Sequence, residues 1–273
     1  LVKTIETLTQ DIYALFGKEP HVCDEANLEI LGRGISDMVG RRLSEVRSGK
    51  GSLRMSNLDK PDRQLWYEIR TESTDDLPPS AKIKFLFGDI LEELLLFLAV
   101  EAGHDVFDRQ KEIVVDGIRG SIDCTVDGVL VDCKSASSQS FKNFSDKLTP
   151  GLFSYSYQVS GYVEGTETGR GGLLVIDKQL GHIALFIKDK KDLPDVKSRI
   201  EHLKKVVAQE TPPERCYSDE PDGKSGNRKL GVGCSYCNHK FVCWDNLRVF
   251  QYSTGPRYMT RIIREPDVFE TRS

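Results

Sequence analysis

Two periods alternate along the chain. Apolar residues recur at helical spacing over residues 3–16, 24–48 and 81–102, and again over 154–165, so each segment is expected as a helix with one face turned inward. Between them the period changes to two. "QKEIVVDG", "GSIDCTVDG" and "VLVDCKSA" read as three successive strands, and "GGLLVIDKQ" and "HIALFIKD" as two more. "LPDVKSRIEHLKKVVAQ" then gives a long amphipathic helix with a proline near its start. Strands bracketed by helices on both sides place the chain in the α/β or α+β class. No internal repeat or low-complexity segment interrupts the pattern.

The stretch "GSIDCTVDGVLVDCKSAS" departs from a simple inward-apolar strand pair, because it carries acids and a lysine within an apolar run. Asp127-Gly128 between two Val- and Ile-rich runs predicts a two-residue hairpin turn, which needs positive φ at both positions. Such a turn sets the register: Val126 faces Val129, Thr125 faces Leu130, Cys124 faces Val131, and Asp123 faces Asp132. Side chains alternate, so Ile122, Cys124, Val126, Val129, Val131 and Cys133 share one apolar face. Ser121, Asp123, Thr125, Leu130, Asp132 and Lys134 share the other. Directly opposed carboxylates have Cβ atoms roughly 4.5–5.5 Å apart and repel. Lys134 offsets part of that repulsion, and a divalent cation with hard oxygen ligands would suit the two acids better. The plainer alternative is a solvated face whose acids point into water.

Composition narrows the setting. The chain has 273 residues, 38% of them hydrophobic and 29% charged, enough for a sizeable core in one large domain or one with an appendage. Its longest apolar run, "LLLFLAV", is far too short to span a membrane. The opening "LVKTIETLTQDIYALFGKEP" mixes charge with apolar residues as an amphipathic helix does, not as an export signal does, so a cytoplasmic location is expected. A net charge of −4 argues against a surface coated with positive charge for indiscriminate nucleic-acid binding. Local patches would have to meet phosphate. "GRRLSEVRSGKGSLR" and "KSGNRK" are the candidates, and the plain alternative for both is solvated surface.

With its surroundings included, the hairpin resembles the PD-(D/E)xK nuclease superfamily, in particular its RecB-like branch. That pattern sets an acid on one strand, here Asp123, and Asp-x-Lys on the next, here Asp132-Cys133-Lys134. An earlier helix supplies a carboxylate four residues after a glycine, here Gly88 and Glu92, and a later helix carries Gln-x-x-x-Tyr, here Gln158 and Tyr162. The resemblance covers about residues 85–165. It implies a restriction-endonuclease-like core with a central mixed sheet flanked by helices. It also implies Mg²⁺ or Mn²⁺ held by Glu92, Asp123, Asp132 and the backbone carbonyl of Cys133. Lys134 would orient or deprotonate the attacking water, and Gln158 and Tyr162 would steady the site or touch DNA. Helical spacing alone does not choose among Glu92, its neighbour Glu93 and Asp89 one turn earlier; the glycine spacing favours Glu92.

Seven cysteines, an odd number without an export signal, point to reduced thiols and metal binding. Cys124 and Cys133 fall on the apolar hairpin face and read as core. Cys216, Cys234, Cys237 and Cys243 follow C-x17-C-x2-C-x5-C, a donor set able to fold a segment of low apolar content through its ligand bonds. The triplet resembles the iron–sulfur nucleases of the same branch, including the CRISPR adaptation nucleases, and implies a 4Fe-4S cluster; structural Zn²⁺ is the alternative. Those proteins take a fourth cysteine from far upstream. The corresponding "LDKPDRQLWYEI" has none, so either Cys23 substitutes or Cys216 completes a local set.

Gly223-Lys224-Ser225 is not a phosphate-binding loop. Ser218 stands where the required glycine would be, amid Asp219, Glu220 and Asp222, and no nucleoside triphosphate is expected as a partner. The expected organisation is an N-terminal helical region over 1–80, a nuclease core over 81–210, a cysteine-rich segment over 211–250 and a tail over 251–273. That tail is polar, Pro-punctuated and available for self-association. The combined reading is a stand-alone Mg²⁺-dependent DNA exonuclease acting on linear ends or single strands. "LRMSNLDKPDRQLWYEI" and "GKSGNRKLGVGCSYCNHKFVCW" also resemble RecB-like exonucleases that phages, notably those of cyanobacteria, encode for replication, recombination or breakdown of host DNA. Two rivals stand beside it: a structure-specific or restriction-type endonuclease, and a non-catalytic cysteine-metal DNA-binding protein.

Overall fold

In chain order the helices of the computed structural model are α1 (Leu8–Ala14), α2 (Glu25–Ser44), α3 (Asp62–Arg70), α4 (Pro79–Glu101), α5 (Ser138–Lys142), α6 (Ser156–Thr166) and α7 (Val196–Ala208). Two single turns follow, α8 (Val232–Ser235) and α9 (Lys240–Cys243). The strands are β1 (Gly49–Lys50), β2 (Glu72–Ser73), β3 (Val106–Phe107), β4 (Glu112–Val115), β5 (Ile118–Ser121), β6 (Cys124–Val126), β7 (Val129–Ala136), β8 (Arg170–Asp177) and β9 (Ile183–Asp189). Five short ones complete the chain: β10 (Glu220–Pro221), β11 (Arg228–Lys229), β12 (Arg248–Tyr252), β13 (Gly255–Arg261) and β14 (Glu270–Thr271). The structure describes residues 3–44, 49–73, 78–144, 148 and 154–271. The end of the expected helix over 24–48, and with it the middle of the first basic patch, lies outside these. The expected helix over 3–16 is a 3₁₀ turn, Ile5–Thr7, running into α1.

The chain packs as two units. The first holds residues 1–49, 53–59 and 73–202, the second residues 50–52, 60–72 and 203–273. The first unit is built on a five-stranded sheet of order β3-β6-β7-β8-β9. β7 runs antiparallel to β6 and parallel to β8, and β9 returns antiparallel, so the sheet is mixed and flanked by helices. The hairpin register follows from the turn chemistry. Asp127 and Gly128 have φ of 48° and 78°, and Cys124 faces Val131, Thr125 faces Leu130 and Val126 faces Val129.

Two expectations are corrected here. "GSIDCTVDG" is not one strand but two, because Asp116-Gly117, with φ of 46° and 78°, forms a second hairpin turn. That turn pairs β5 back on β4, Ile118 against Val115 and Ser121 against Glu112, before the chain crosses to β6. Asp123 therefore stands at the break between two ladders, not opposite Asp132 within one. Its Oδ2 instead accepts a 2.7 Å hydrogen bond from the Cys133 amide.

The second correction concerns the alternative of a fully solvated charged face: Asp132 is buried, and Asp123 and Lys134 are half-buried. β7 is the central strand and is covered on both sides. Cys124, Val126, Val129, Val131 and Cys133 pack against Leu95, Leu96 and Ala99 of α4 and Ile5, Leu8 and Ile12 at the N-terminus. Opposite them, α6 lies over β7, and Leu130 and Asp132 are as buried as the apolar set.

In the second unit β10-β11-β13-β12-β14 form a separate sheet, beside a small core of Leu230, Cys234 and Leu247. Among the described residues no helix is long and apolar enough to cross a membrane.

Candidate functional site

β7, the β5–β6 break, α4 and α6 each turn one or two polar side chains toward the same place. Alternation on β7 puts Asp132 and Lys134 on its α6 side, and their side chains form an ion pair. One turn of α6 separates Gln158 from Tyr162, so both reach the strand: Gln158 Nε2 donates to Asp132 Oδ1 at 3.0 Å and to the Tyr162 hydroxyl at 3.2 Å. Among the described residues the other Asp132 oxygen meets the Lys134 ammonium and no hydrogen-bond partner, although the residue is 1% exposed. A buried carboxylate oxygen in that condition is a ready cation ligand.

The electrostatics agree. Burial, then the Asp132 charge, pushes the Asp123 carboxyl well above the usual carboxylate range. Burial, then Asp132, pushes Glu92 up to about 7. Burial alone would lower the Lys134 pKa, but the Asp132 and Asp123 charges outweigh it and hold the ammonium firmly protonated. Three acids thus compete for one cation, a deficit that a bound dication would fill. Burial, then the Asp132 charge, raises the Tyr162 phenol, so it stays a neutral donor.

The three helix carboxylates have different partners. Asp89 is paired with Arg42 and Glu93 with Arg109, whereas Glu92 is the one whose pKa is shifted by Asp132 and Lys134. Glu92 also accepts from Gln110 Nε2 at 2.6 Å. Spacing along the helix did not distinguish them; their arginine partners, from other segments, do.

A cavity of about 470 Å³ opens over these groups. Besides Asp123, Asp132, Lys134, Gln158 and Tyr162, it is walled by Arg54, Ser56 and Arg119. Arg54 belongs to the first basic patch singled out above. Arg119 was missed, since a single arginine beside a turn carries no signal, but a bridge between the Arg54 and Arg119 backbones sets the two side by side. The wall is close-packed: a Cβ on Gly120 would stand 2.6 Å from Met55 Cγ and 2.8 Å from Tyr162 Cε1, which only glycine avoids.

Asp59 was also missed. At the N-terminus of α6 Tyr155 makes no side-chain cap, and Ser154 Oγ accepts from the Ser156 amide at 3.0 Å. Asp59 caps the same turn from elsewhere in the chain, accepting from Ser156 Oγ at 3.1 Å, Tyr157 N at 3.1 Å and Gln158 N at 2.9 Å. The helix turn that presents Gln158 is thereby anchored.

In the second unit Cys216, Cys234, Cys237 and Cys243 line one cavity with Arg63, Tyr67 and His239. Cys216 joins the triplet within this unit, while Cys23 belongs to the first. Arg63 Nε donates to Cys243 Sγ at 3.1 Å, and burial raises the Cys234 and Cys237 thiols. Among the described residues no three of these sulfurs lie within 4.8 Å of one another. The second basic patch is internally balanced: Arg228 pairs with Asp219 at 2.6 Å, and Lys229 approaches Asp222 at 3.9 Å.

No family model matches the chain, and no curated protein does. Among solved structures the chain is similar to the crystal structure of SSO0001, at 17% identity and a TM-score of 0.44 over 79% of this chain and 95% of that one. It is similar to LHK-Exo, an alkaline exonuclease from Laribacter hongkongensis solved in complex with dAMP, at 17% identity and a TM-score of 0.39 over 63% of this chain and 89% of that one. A phage related exonuclease from Haemophilus somnus 129PT is similar at 13% identity and a TM-score of 0.39 over 59% and 92%.

Proposed function

We propose that this chain is a Mg²⁺-dependent deoxyribonuclease that hydrolyses phosphodiester bonds from DNA ends. The observation that carries this reading is the meeting of Asp123, Asp132 and Lys134 at one cavity whose wall bears Arg54 and Arg119, with Glu92 in electrostatic reach of Asp132 and Lys134. An acid cluster beside arginines suits a substrate that is itself an anion and needs a metal between its phosphate and the acids. Glu92, Asp123, Asp132 and the Cys133 carbonyl would hold the metal. When bound, it supplies an acidified water and a positive charge at the phosphorus.

The chain's own residues do the rest. Lys134, protonated and ion-paired to Asp132, presents an N–H to the attacking water or to a phosphate oxygen. Gln158 keeps Asp132 in one rotamer, and Tyr162 keeps Gln158 in place. Arg54 and Arg119 offer donors to the phosphates flanking the scissile bond. An end-processing role in replication, recombination or DNA breakdown, of the kind phages encode, fits a chain in which we recognise no separate sequence-reading domain.

In the second unit the four cysteines would hold a 4Fe-4S cluster that ties Cys216 to the triplet. Structural Zn²⁺ held by the same four thiolates is the alternative.

The test is a time course on end-labelled linear DNA beside covalently closed circles, with Mg²⁺ or EDTA, for the wild type and Lys134→Ala. Expected are loss of the linear substrate from an end, intact circles, and no digestion with EDTA or in the variant. Cut circles would make the protein an endonuclease. Activity indifferent to both metal and variant would leave the acids structural and sink the reading.

A further inference from the structure

The loop between α1 and α2 carries His21 and Cys23, two residues apart, and both reach the C-terminal end of α4, where Glu101 is the last helical residue. His21 Nε2, Cys23 Sγ and a Glu101 carboxylate oxygen all lie within 4.8 Å of one another. Among the described residues no other set of three or more His, Cys, Asp or Glu side chains meets that condition.

Glu101 is placed against its own preference. A carboxylate at a helix C-terminus faces the negative end of the macrodipole, and this one is desolvated as well, its side chain 3% exposed. Both costs are offset by a cation. Oε1 accepts from Asn27 Nδ2 at 2.7 Å, Oε2 faces His21 Nε2 at the same distance, and the Asp24 amide donates to Oε1 at 3.4 Å and Oε2 at 3.3 Å. A carboxylate fixed by outer donors, with one oxygen turned toward an imidazole and a thiol, has the form of a metal ligand with its supporting shell. A His21–Glu101 pair alone would leave the Cys23 sulfur beside it without a part.

We propose that His21, Cys23 and Glu101 form a zinc site with water in the fourth position. Imidazole nitrogen, thiolate and carboxylate are the donors zinc accepts together, whereas Mg²⁺ and Ca²⁺ take oxygen alone. His21 and Cys23 are both partly exposed, so the fourth position opens to solvent. The ion would fasten the α1–α2 loop to the end of α4. The site is independent of the nuclease reading and of the four-cysteine cavity.

Its test is peptide-resolved alkylation of Cys23 by iodoacetamide, in the full chain, with and without added Zn²⁺. With free zinc at about ten times the dissociation constant, modification of Cys23 in the wild type should slow about tenfold and recover with EDTA. His21→Ala, a change in an exposed loop residue, and Glu101→Gln should abolish the protection. Equal rates with and without zinc in the wild type, or protection that persists in His21→Ala, would overturn the site. Following the Cys23 peptide alone keeps zinc bound by the other cysteines out of the reading.

Discussion

Asp59 provides the sharpest test of how this fold builds its site. Asp59→Ala removes the acceptor of three hydrogen bonds, from Ser156 Oγ, Tyr157 N and Gln158 N, and leaves Ser154 Oγ, on the Ser156 amide, as the side-chain cap of that helix end. Loss of a cap costs about 0.5–2 kcal/mol, and a buried amide left unpaired adds about 1–3 kcal/mol. About 2 kcal/mol is expected after local relaxation and hydration, or a fall in Tm of roughly 4–8 °C for a chain of this size. The second consequence is local. Gln158 lies in that first turn, so fraying there releases its bond to Asp132.

A misplacement of about 1 Å in a catalytic constellation costs about 10²-fold in rate. Asp59→Ala should therefore lower kcat on end-labelled DNA by about that factor while KM for DNA changes little. Asp59→Asn keeps one acceptor oxygen and should restore most of the stability and part of the rate. The assays are thermal denaturation and digestion at saturating Mg²⁺, well below Tm. An Asp59→Ala protein with wild-type Tm would refute the capping argument. A lowered Tm with an unchanged kcat would refute the claim that the cap positions Gln158.

Other consequences are as definite. Gly120→Ala drives a methyl into Met55 and Tyr162 and should cost about 1–3 kcal/mol in denaturant melts, part of it recovered in a Met55→Ala background. Arg54→Ala and Arg119→Ala should each raise KM for DNA and reduce the slope of log KM against log salt by about 1; an unchanged slope would remove them from the phosphate path. Burial would raise the Asp177 carboxyl, but donors from Gln179 N, Ser138 Oγ and Leu180 N hold it below its ordinary 3.8. A depressed folded pKa gives stability that is full above 3.8 and is lost as pH falls through the folded value. Asp177→Asn should thus flatten the acid limb of the stability curve below about pH 4, where the wild type loses this contribution.

The features legible in the sequence were those set by neighbours along the chain. Asp127-Gly128 dictates a primed turn, a two-residue turn dictates register, and register dictates that Cys124, Val126, Val129 and Val131 share a face. The one-turn spacing of Gln158 and Tyr162 likewise puts both on one side of α6. The same local logic failed where two turns competed: Asp116-Gly117 claimed residues 118–121 for its own hairpin, and Asp123 fell at the break, with its carboxylate on the Cys133 amide.

What brings these residues together was decided by the tertiary structure. Arg42 and Arg109 occupy Asp89 and Glu93 and so leave Glu92 to Asp132. Asp59 caps a helix that begins 97 residues later, and Arg119 reaches the cavity through a bridge to Arg54. Cys23 lies with His21 and Glu101, and Cys216 lines one cavity with Cys234, Cys237 and Cys243. The physical reason is range. Turn geometry and side-chain alternation act over a few covalent bonds and repeat at a fixed period, whereas caps, ion pairs and pKa shifts depend on which distant segment burial brings within a few ångströms.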